Sequence, residues 1–352
     1  MKTEHILVIR FSALGDVAMT VPVVWAVAKR YPHVRITVLS RPFARTFFEG
    51  LAPNVSFMEA DVKKEYKGVK GLNALYRRLV AKQFTAVADL HSILRSNYLR
   101  MRFVVDRYKV AHINKHRRER RVLTNPSHPA PIEQMPTSFE NYADVFARLG
   151  YPVDISDPAF ESLYTSGTMQ REVLPETIGD KEAGVRWIGL APFAAHAGKI
   201  YPLEKTEEVI RQLIAKEPNC RIFLFGGGKS EMETFSRWSS LYSQCTTVAD
   251  SLKGFRQELS LMEQLDVMLS MDSANMHLAS LVGTRVVSVW GATHPYAGFL
   301  GWRQQEEDVV QLDEPCRPCS IYGNKPCIHG DYRCLNGITP ETIVARLISS
   351  NS

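Results

Sequence analysis

Ile6-Leu7-Val8-Ile9-Arg10-Phe11-Ser12-Ala13-Leu14-Gly15-Asp16-Val17 is the stretch on which the reading of this chain turns. The four apolar residues Ile6 to Ile9 suit a strand buried on both faces. From Asp16 onward Val17, Val21, Val24, Ala28 and Tyr31 recur at helical spacing. They predict one helix running to Tyr31, with Pro22 absorbed in its first turns. The turn between strand and helix offers backbone N–H groups and the positive end of a helix dipole to an anionic ligand. Asp16 stands in that same mouth. A carboxylate is a poor holder of phosphate, so it points to chemistry; the alternative is an ordinary first-turn acid.

Working outward, the first half alternates between the two periodicities. Strands are expected at 34–40, 55–58, 86–90 and 110–113, with helices over 42–50, 69–83 and 92–101. Residues 114–136, with prolines at 126, 129, 131 and 136, read as a basic loop. Thr137 or Ser138 then opens a helix that Gly150 closes. Periodicity lapses over 150–184, where the connection between two domains is expected, giving domains of 1–165 and 166–352. The pattern restarts with a strand at 187–190, a turn to Lys199 and a helix at 203–216. A strand at 222–225 feeds Gly226-Gly227-Gly228, and one at 267–271 feeds Asp272-Ser273-Ala274. Thr339-Pro340-Glu341 starts the last helix. Two successive βα runs make this an α/β chain of two doubly wound, Rossmann-like domains, with ligands expected at strand carboxyl ends and in the cleft between.

A length of 352 residues suits two domains, and 45% hydrophobic with 23% charged residues is ordinary for a globular protein. No apolar run approaches a membrane span and the start lacks a signal-peptide core, so a cytoplasmic location is expected. The net charge of +6 is concentrated: ten Lys/Arg against two acids between Arg95 and Arg121 give +8 there and leave −2 elsewhere. Such a segment serves nucleic acid, an anionic membrane surface or a phosphorylated acceptor, or is simply a solvated face. No Gly-x-Gly-x-x-Gly follows the first strand and no complete Gly-x4-Gly-Lys-Ser/Thr Walker sequence occurs, which weakens dehydrogenase and P-loop readings.

The second half carries the ligand signals. Amides at Ser273, Ala274 and Asn275 open a helix where a diphosphate fits, and small side chains there permit close approach. His277, one turn on, adds a donor, and the Lys199 ammonium neutralises phosphate as a point charge. Gly226 and Gly227 form a turn against which a base or ribose lies, with Glu231 accepting from ribose hydroxyls. Each has a plainer alternative: a cap for Asp272, a core histidine for His277, a generic tight turn for the glycines. Their common position at strand ends strengthens the set.

Residues Arg10 to Val17 resemble the opening signature of family 9 glycosyltransferases, the ADP-heptose:lipopolysaccharide heptosyltransferases. Ser270 to Leu278 resembles the second signature, and Lys199-Ile200-Tyr201-Pro202 is similar to the family's Lys-x-Trp-Pro. The resemblance runs from the first strand to about Cys334. It departs at Ala274 for glycine, at Tyr201 for tryptophan, and in the Pro192, Phe193 and His196 loop, all bearing on the donor. It implies a GT-B fold and an inverting transfer without an essential metal. Asp16 would be the general base and Lys199 would stabilise the leaving diphosphate of an ADP-heptose-like donor. That donor is held at Gly226, Gly227, Glu231, Asp272, Ser273, Ala274 and His277. Ser12, Gly15, Arg95, Arg100, Lys115 and Arg118 would serve an anionic lipid-linked core oligosaccharide at the cytoplasmic face of the inner membrane, with no nucleic acid as partner.

Cys316, Cys319, Cys327 and Cys334, with His329 nearby, have metal-like spacing and make a structural zinc candidate; reduced thiols packing a loop are the alternative. Two rival functions remain: a sugar-nucleotide epimerase of the same fold, acting without an acceptor, and a nucleic-acid-binding protein using residues 95–121.

Overall fold

Strand β1 (His5–Ile9) is buried along its whole length, as its apolar run requires. In the computed structural model, which describes residues 4–125, 127, 133–156, 160–167 and 169–349, it is the middle strand of a parallel five-stranded sheet. The chain continues through α1 (Leu14–Ala18), α2 (Val21–Arg30), β2 (Arg35–Ser40), α3 (Arg45–Phe48), β3 (Val55–Glu59) and α4 (Gly68–Val80). Then come β4 (Ala86–Asp89), α5 (Leu94–Val105), β5 (Lys109–His112), α6 (Arg117–Leu123), α7 (Ser138–Arg148) and α8 (Leu163–Ser166). The strand order is β3-β2-β1-β4-β5. The chain winds outward from β1 to one edge, returns, and winds to the other, so the order reverses between β1 and β4. Leu7, Ile9, Leu39, Leu75, Val87 and Phe103 form the core on one face of this sheet.

The single helix expected from Asp16 to Tyr31 is two helices, broken at Met19 and Thr20. Pro22 has no N–H to give and its ring crowds the preceding turn, so it starts a second helix instead of continuing the first. Residues 114–136, expected as loop, contain α6. Its seven residues hold no proline or glycine, and four are arginines of good helix propensity. Pro126, Pro129 and Pro131 lie outside the described residues. Thr137 caps α7 as expected: its hydroxyl accepts from the Glu140 N–H while the Glu140 carboxylate accepts from the Thr137 N–H.

The second sheet has six parallel strands: β6 (Arg186–Ala191), β7 (Cys220–Leu224), β8 (Cys245–Thr247), β9 (Val267–Met271), β10 (Val286–Val289) and β11 (Val309–Val310), in the order β11-β10-β9-β6-β7-β8. Its helices are α9 (Leu203–Lys216), α10 (Lys229–Leu241), α11 (Val248–Ser251), α12 (Phe255–Gln264), α13 (Ala274–Leu281), α14 (Arg333–Asn336) and α15 (Pro340–Ile348). Here the order reverses between β6 and β9. Gly189 in β6 is required by packing, since a Cβ there would fall 2.3 Å from the Met268 sulfur.

The chain forms two compact units, Met1–Lys115 with Pro136–Gln170, and His116–Met135 with Arg171–Ser352. The basic stretch read above as wholly N-terminal is therefore divided, with Lys115 in the first unit and Arg118 in the second. Chemistry accounts for the second placement. Arg120 lies 5.4 Å from the centroid of Phe299 and 5.8 Å from that of Tyr322, and donates to the Tyr322 hydroxyl at 2.8 Å. Leu123 and Met135 pack with Ala297 and Ile321.

Candidate active site

Pairing of β1 with β4 sets Ile9 opposite Asp89, so the residues that follow each strand meet at the point where strand order reverses. The Arg10 guanidinium donates to the Leu90 carbonyl at 2.6 Å and pairs with the Asp16 carboxylate at 2.7 Å. The same Asp16 oxygen accepts from the Ala13 N–H at 3.1 Å. With 32% of its side chain exposed, Asp16 is held by protein partners on one side and open to solvent on the other. His91 Nδ1 accepts from the Phe11 N–H at 3.3 Å, which puts the proton of a neutral ring on Nε2, 3.4 Å from the Ser12 hydroxyl. Burial, then the Arg10 charge, pulls the His91 imidazole down to about 3, in keeping with that neutral form.

Asp89 is fully buried at the end of β4, where it accepts from the His91 and Ser92 N–H groups and pairs with Arg100 at 3.1 Å. Arg100, expected on the acceptor side, thus holds an internal carboxylate. Arg95 is half-buried on α5, Lys115 is half-buried at the end of the first unit, Arg118 is exposed on α6, and Gly15 is buried within α1.

In the second unit the corresponding position lies between the carboxyl ends of β6 and β9. Lys199, after β6, pairs with Asp272, after β9, at 2.8 Å, with 14% and 5% of their side chains exposed. The Thr293 hydroxyl donates to the same Asp272 oxygen at 2.7 Å. One Asp272 oxygen therefore meets two protein partners, the Lys199 ammonium and the Thr293 hydroxyl. An ammonium carries three donors, so one carboxylate contact positions it without exhausting it. The Lys199 stem packs on Gly323, where a Cβ would fall 2.8 Å from Lys199 Cγ. Ser273 leads into α13 with its side chain uninvolved in capping; it lies 3.3 Å from the Ser270 hydroxyl. Ala274 is the first helical residue and His277 is buried one turn on.

Glu231 lies in the first turn of α10. One of its oxygens accepts from the Gly227 and Gly228 N–H groups at 2.8 and 3.1 Å, closing the start of α10. Gly226 is needed there because a Cβ would meet that carboxylate at 2.6 Å, whereas Gly227 faces open space. Tyr201, at the family's tryptophan position, is fully buried and donates to the Ile338 carbonyl at 2.9 Å.

The four clustered cysteines stand apart from one another. Among the described residues no group of three or more His, Cys, Asp or Glu is arranged to hold a metal ion. Cys319 Sγ donates to the Cys316 carbonyl at 3.3 Å, Cys327 Sγ turns toward Asp331 at 3.9 Å, and Cys334 is buried, where desolvation pushes its thiol up to about 11. The loop that carries them braces the segment of the lysine. The Cys319 N–H donates to the Ala292 carbonyl, the Ala292 N–H to the Gly198 carbonyl, and buried Arg317 donates to the Thr293 carbonyl at 2.7 Å. Arg10, Asp89, His91, Thr293 and Arg317 were not singled out from sequence. The ending Asp89-Leu90-His91 of a strand adjacent to the first was the available signal for three groups of the first cluster.

Two doubly wound units, each gathering its polar side chains at the reversal of its strand order, make up the GT-B architecture. Residues 72–327 match the model of glycosyltransferase family 9 (heptosyltransferase), so the chain belongs to that family and is a glycosyltransferase. It is 23% identical over 301 residues to the lipopolysaccharide core heptosyltransferase OpsX of Haemophilus influenzae, covering 83% of this chain and 80% of that one. The fold is also that of a family 9 glycosyl transferase from Veillonella parvula (TM-score 0.72, 17% identity, 99% and 97% of the two chains). The Escherichia coli heptosyltransferase WaaC, solved with ADP-2-deoxy-2-fluoro heptose, is similar as well (TM-score 0.64, 16% identity, 91% and 97%).

Proposed function

We propose that this chain moves a heptose from an ADP-activated donor to an anionic, lipid-linked lipopolysaccharide core, inverting the anomeric centre, at the cytoplasmic face of the inner membrane. The lipopolysaccharide core heptosyltransferase of H. influenzae and the E. coli enzyme solved with ADP-2-deoxy-2-fluoro heptose support that substrate pair. The observation that carries the site assignment is the Lys199–Asp272 pair, set at the strand-order reversal of the second sheet beside the start of α13.

The second unit holds the donor. Its diphosphate lies on the first-turn amides of α13, with Lys199 as the counter-charge and His277 as a further donor. The first unit holds the acceptor and supplies Asp16. An acceptor hydroxyl attacks the anomeric carbon from the face opposite the diphosphate. As the new carbon–oxygen bond forms, the bond to the phosphate oxygen breaks and its electron pair leaves with the nucleotide. The hydroxyl proton passes to the Asp16 carboxylate. Charge growing on the departing phosphate is met by groups already in place, so little reorganisation accompanies the step. Asp16→Ala is expected to abolish transfer while ADP still raises the melting temperature; undiminished turnover would remove Asp16 from the mechanism. Release of ADP only when acceptor is added separates this reading from an epimerase.

A further inference from the structure

A surface helix ordinarily buries one apolar stripe and turns a polar face to water. Helix α5 turns apolar side chains both ways. Ser96, Leu99 and Phe103 are buried against the sheet. On the opposite side Leu94, Met101 and Val105, spaced seven and four residues apart, are 87%, 57% and 70% exposed, with Val104 beside them. Helix α4 packs alongside: Asn73 Oδ1 accepts from the Tyr98 hydroxyl at 2.8 Å and from Arg102 at 2.6 Å, locking the two helices together. The exposed side of α4 carries Lys70, Arg77 and Arg78, and Val69 at its start is 62% exposed. From Lys67 to Val105 there are eight Lys/Arg and one carboxylate. That carboxylate is Asp89, fully buried and paired with Arg100. Asp106, just beyond α5, accepts from the Tyr76 hydroxyl.

We infer that the outer face of α4 and α5 docks on an anionic lipid bilayer, Leu94, Met101 and Val105 entering the acyl boundary while Lys70 and Arg77 meet the headgroups. Charge selects this occupant. An apolar ridge bordered by cations, with no carboxylate within either helix and a single exposed one, Asp106, at the end of α5, complements a surface of negative charge over a nonpolar interior. A second copy of the chain pairing through the same face about a two-fold axis would oppose cation to cation. The inference deepens the reading of a membrane-borne acceptor and rests on it for its purpose. Its evidence is separate, because none of these side chains belongs to the donor or base clusters.

The test uses the full chain in co-sedimentation with vesicles of phosphatidylcholine alone and of phosphatidylcholine with phosphatidylglycerol. Binding is expected to the anionic vesicles, to weaken with salt, and to fall at least tenfold in the triple variant Leu94→Ser/Met101→Ser/Val105→Ser. The variant should keep the wild-type melting temperature and its ADP-induced rise, since the replaced side chains are exposed. Should it fold poorly, Leu94→Trp provides a second readout: its emission shifts to the blue on anionic vesicles if the ridge inserts. Equal binding by wild type and triple variant, equal binding to both vesicle types, or an unshifted Leu94→Trp spectrum would each overturn the inference. So would a wild-type dimer that the triple variant dissolves, which would assign the face to a second copy. Loss of the ADP-induced rise in wild type would instead count against the donor reading and leave the vesicle result standing.

Discussion

Replacing Lys199 by methionine tests whether the buried ion pair organises the donor site. Asp272 would be left with 5% of its side chain exposed and the Thr293 hydroxyl as its remaining side-chain partner. Stranding one member of a buried pair costs about 3–5 kcal/mol, because the orphan charge keeps its desolvation penalty without its counter-charge. Asp272→Asn strands the ammonium, at 14% exposure, at a somewhat smaller cost. The double variant Lys199→Met/Asp272→Asn removes both charges, and Asn keeps an oxygen for Thr293. Its loss of stability should therefore fall short of the sum of the single losses by about 2 kcal/mol. Urea unfolding of the four proteins gives this coupling directly. Turnover should separate from stability: Lys199→Met loses about 10²- to 10³-fold, the scale for one preorganised donor to a developing anion, and the double variant does not recover it. Single losses that add to within about 0.5 kcal/mol would refute the coupling, and recovered turnover in the double variant would refute the phosphate role.

Three further outcomes follow from the contacts described. His91 sits at about 3 when folded against 6.5 when unfolded, so the unfolded chain binds the proton first. Its contribution to stability is complete above pH 6.5 and declines as pH falls toward 3, by about 2 kcal/mol at pH 5 relative to neutral pH. His91→Gln should flatten that part of the stability–pH curve, and an unchanged slope would show that another group governs it. Arg100→Met should destabilise the fold by about 3 kcal/mol or more in urea unfolding, because Asp89 is wholly buried; a loss of acceptor affinity at full stability would restore the expected acceptor role. Glu231→Ala should cost about 1 kcal/mol through the start of α10 while leaving the ADP-induced rise in melting temperature intact. A lost nucleotide response would return Glu231 to the ribose.

Most of the fold was legible because buried parallel strands leave continuous apolar runs. His5–Ile9, Arg186–Ala191 and Val267–Met271 could be located that way, and α9 could be bounded to the residue from its periodicity. The strands β8 and β11 were not legible. Three residues reading Cys-Thr-Thr and two valines at sheet edges are too short for any period to register. Asp16, Lys199 and the start of α13 were visible as odd residue types at strand ends. What those residues touch was not. That the Asp272 carboxylate belongs to Lys199 depends on β6 and β9 being neighbours, although 272 − 199 = 73 positions separate the two along the chain; order along the chain does not state order across the sheet. Likewise the Glu231 carboxylate closes its own helix, a local choice that a functional motif at the same spacing imitates.

The basic segment makes the same point about charge. Counted along the sequence, residues 95–121 look like one cationic patch offered to a polyanion. In the folded chain Arg100 is given to Asp89, Arg102 to Asn73 and the Tyr76 ring, and Arg120 to Phe299 and Tyr322. Lys115 and Arg118 then fall in different compact units. A net charge of +8 over a short stretch therefore measures several separate structural assignments. The surface cations that do stand together, Lys70, Arg77 and Arg78, lie outside that segment on α4 and become prominent because α4 and α5 contain no acid to offset them. Absence of the opposite charge, more than abundance of one, is what gives a surface its field.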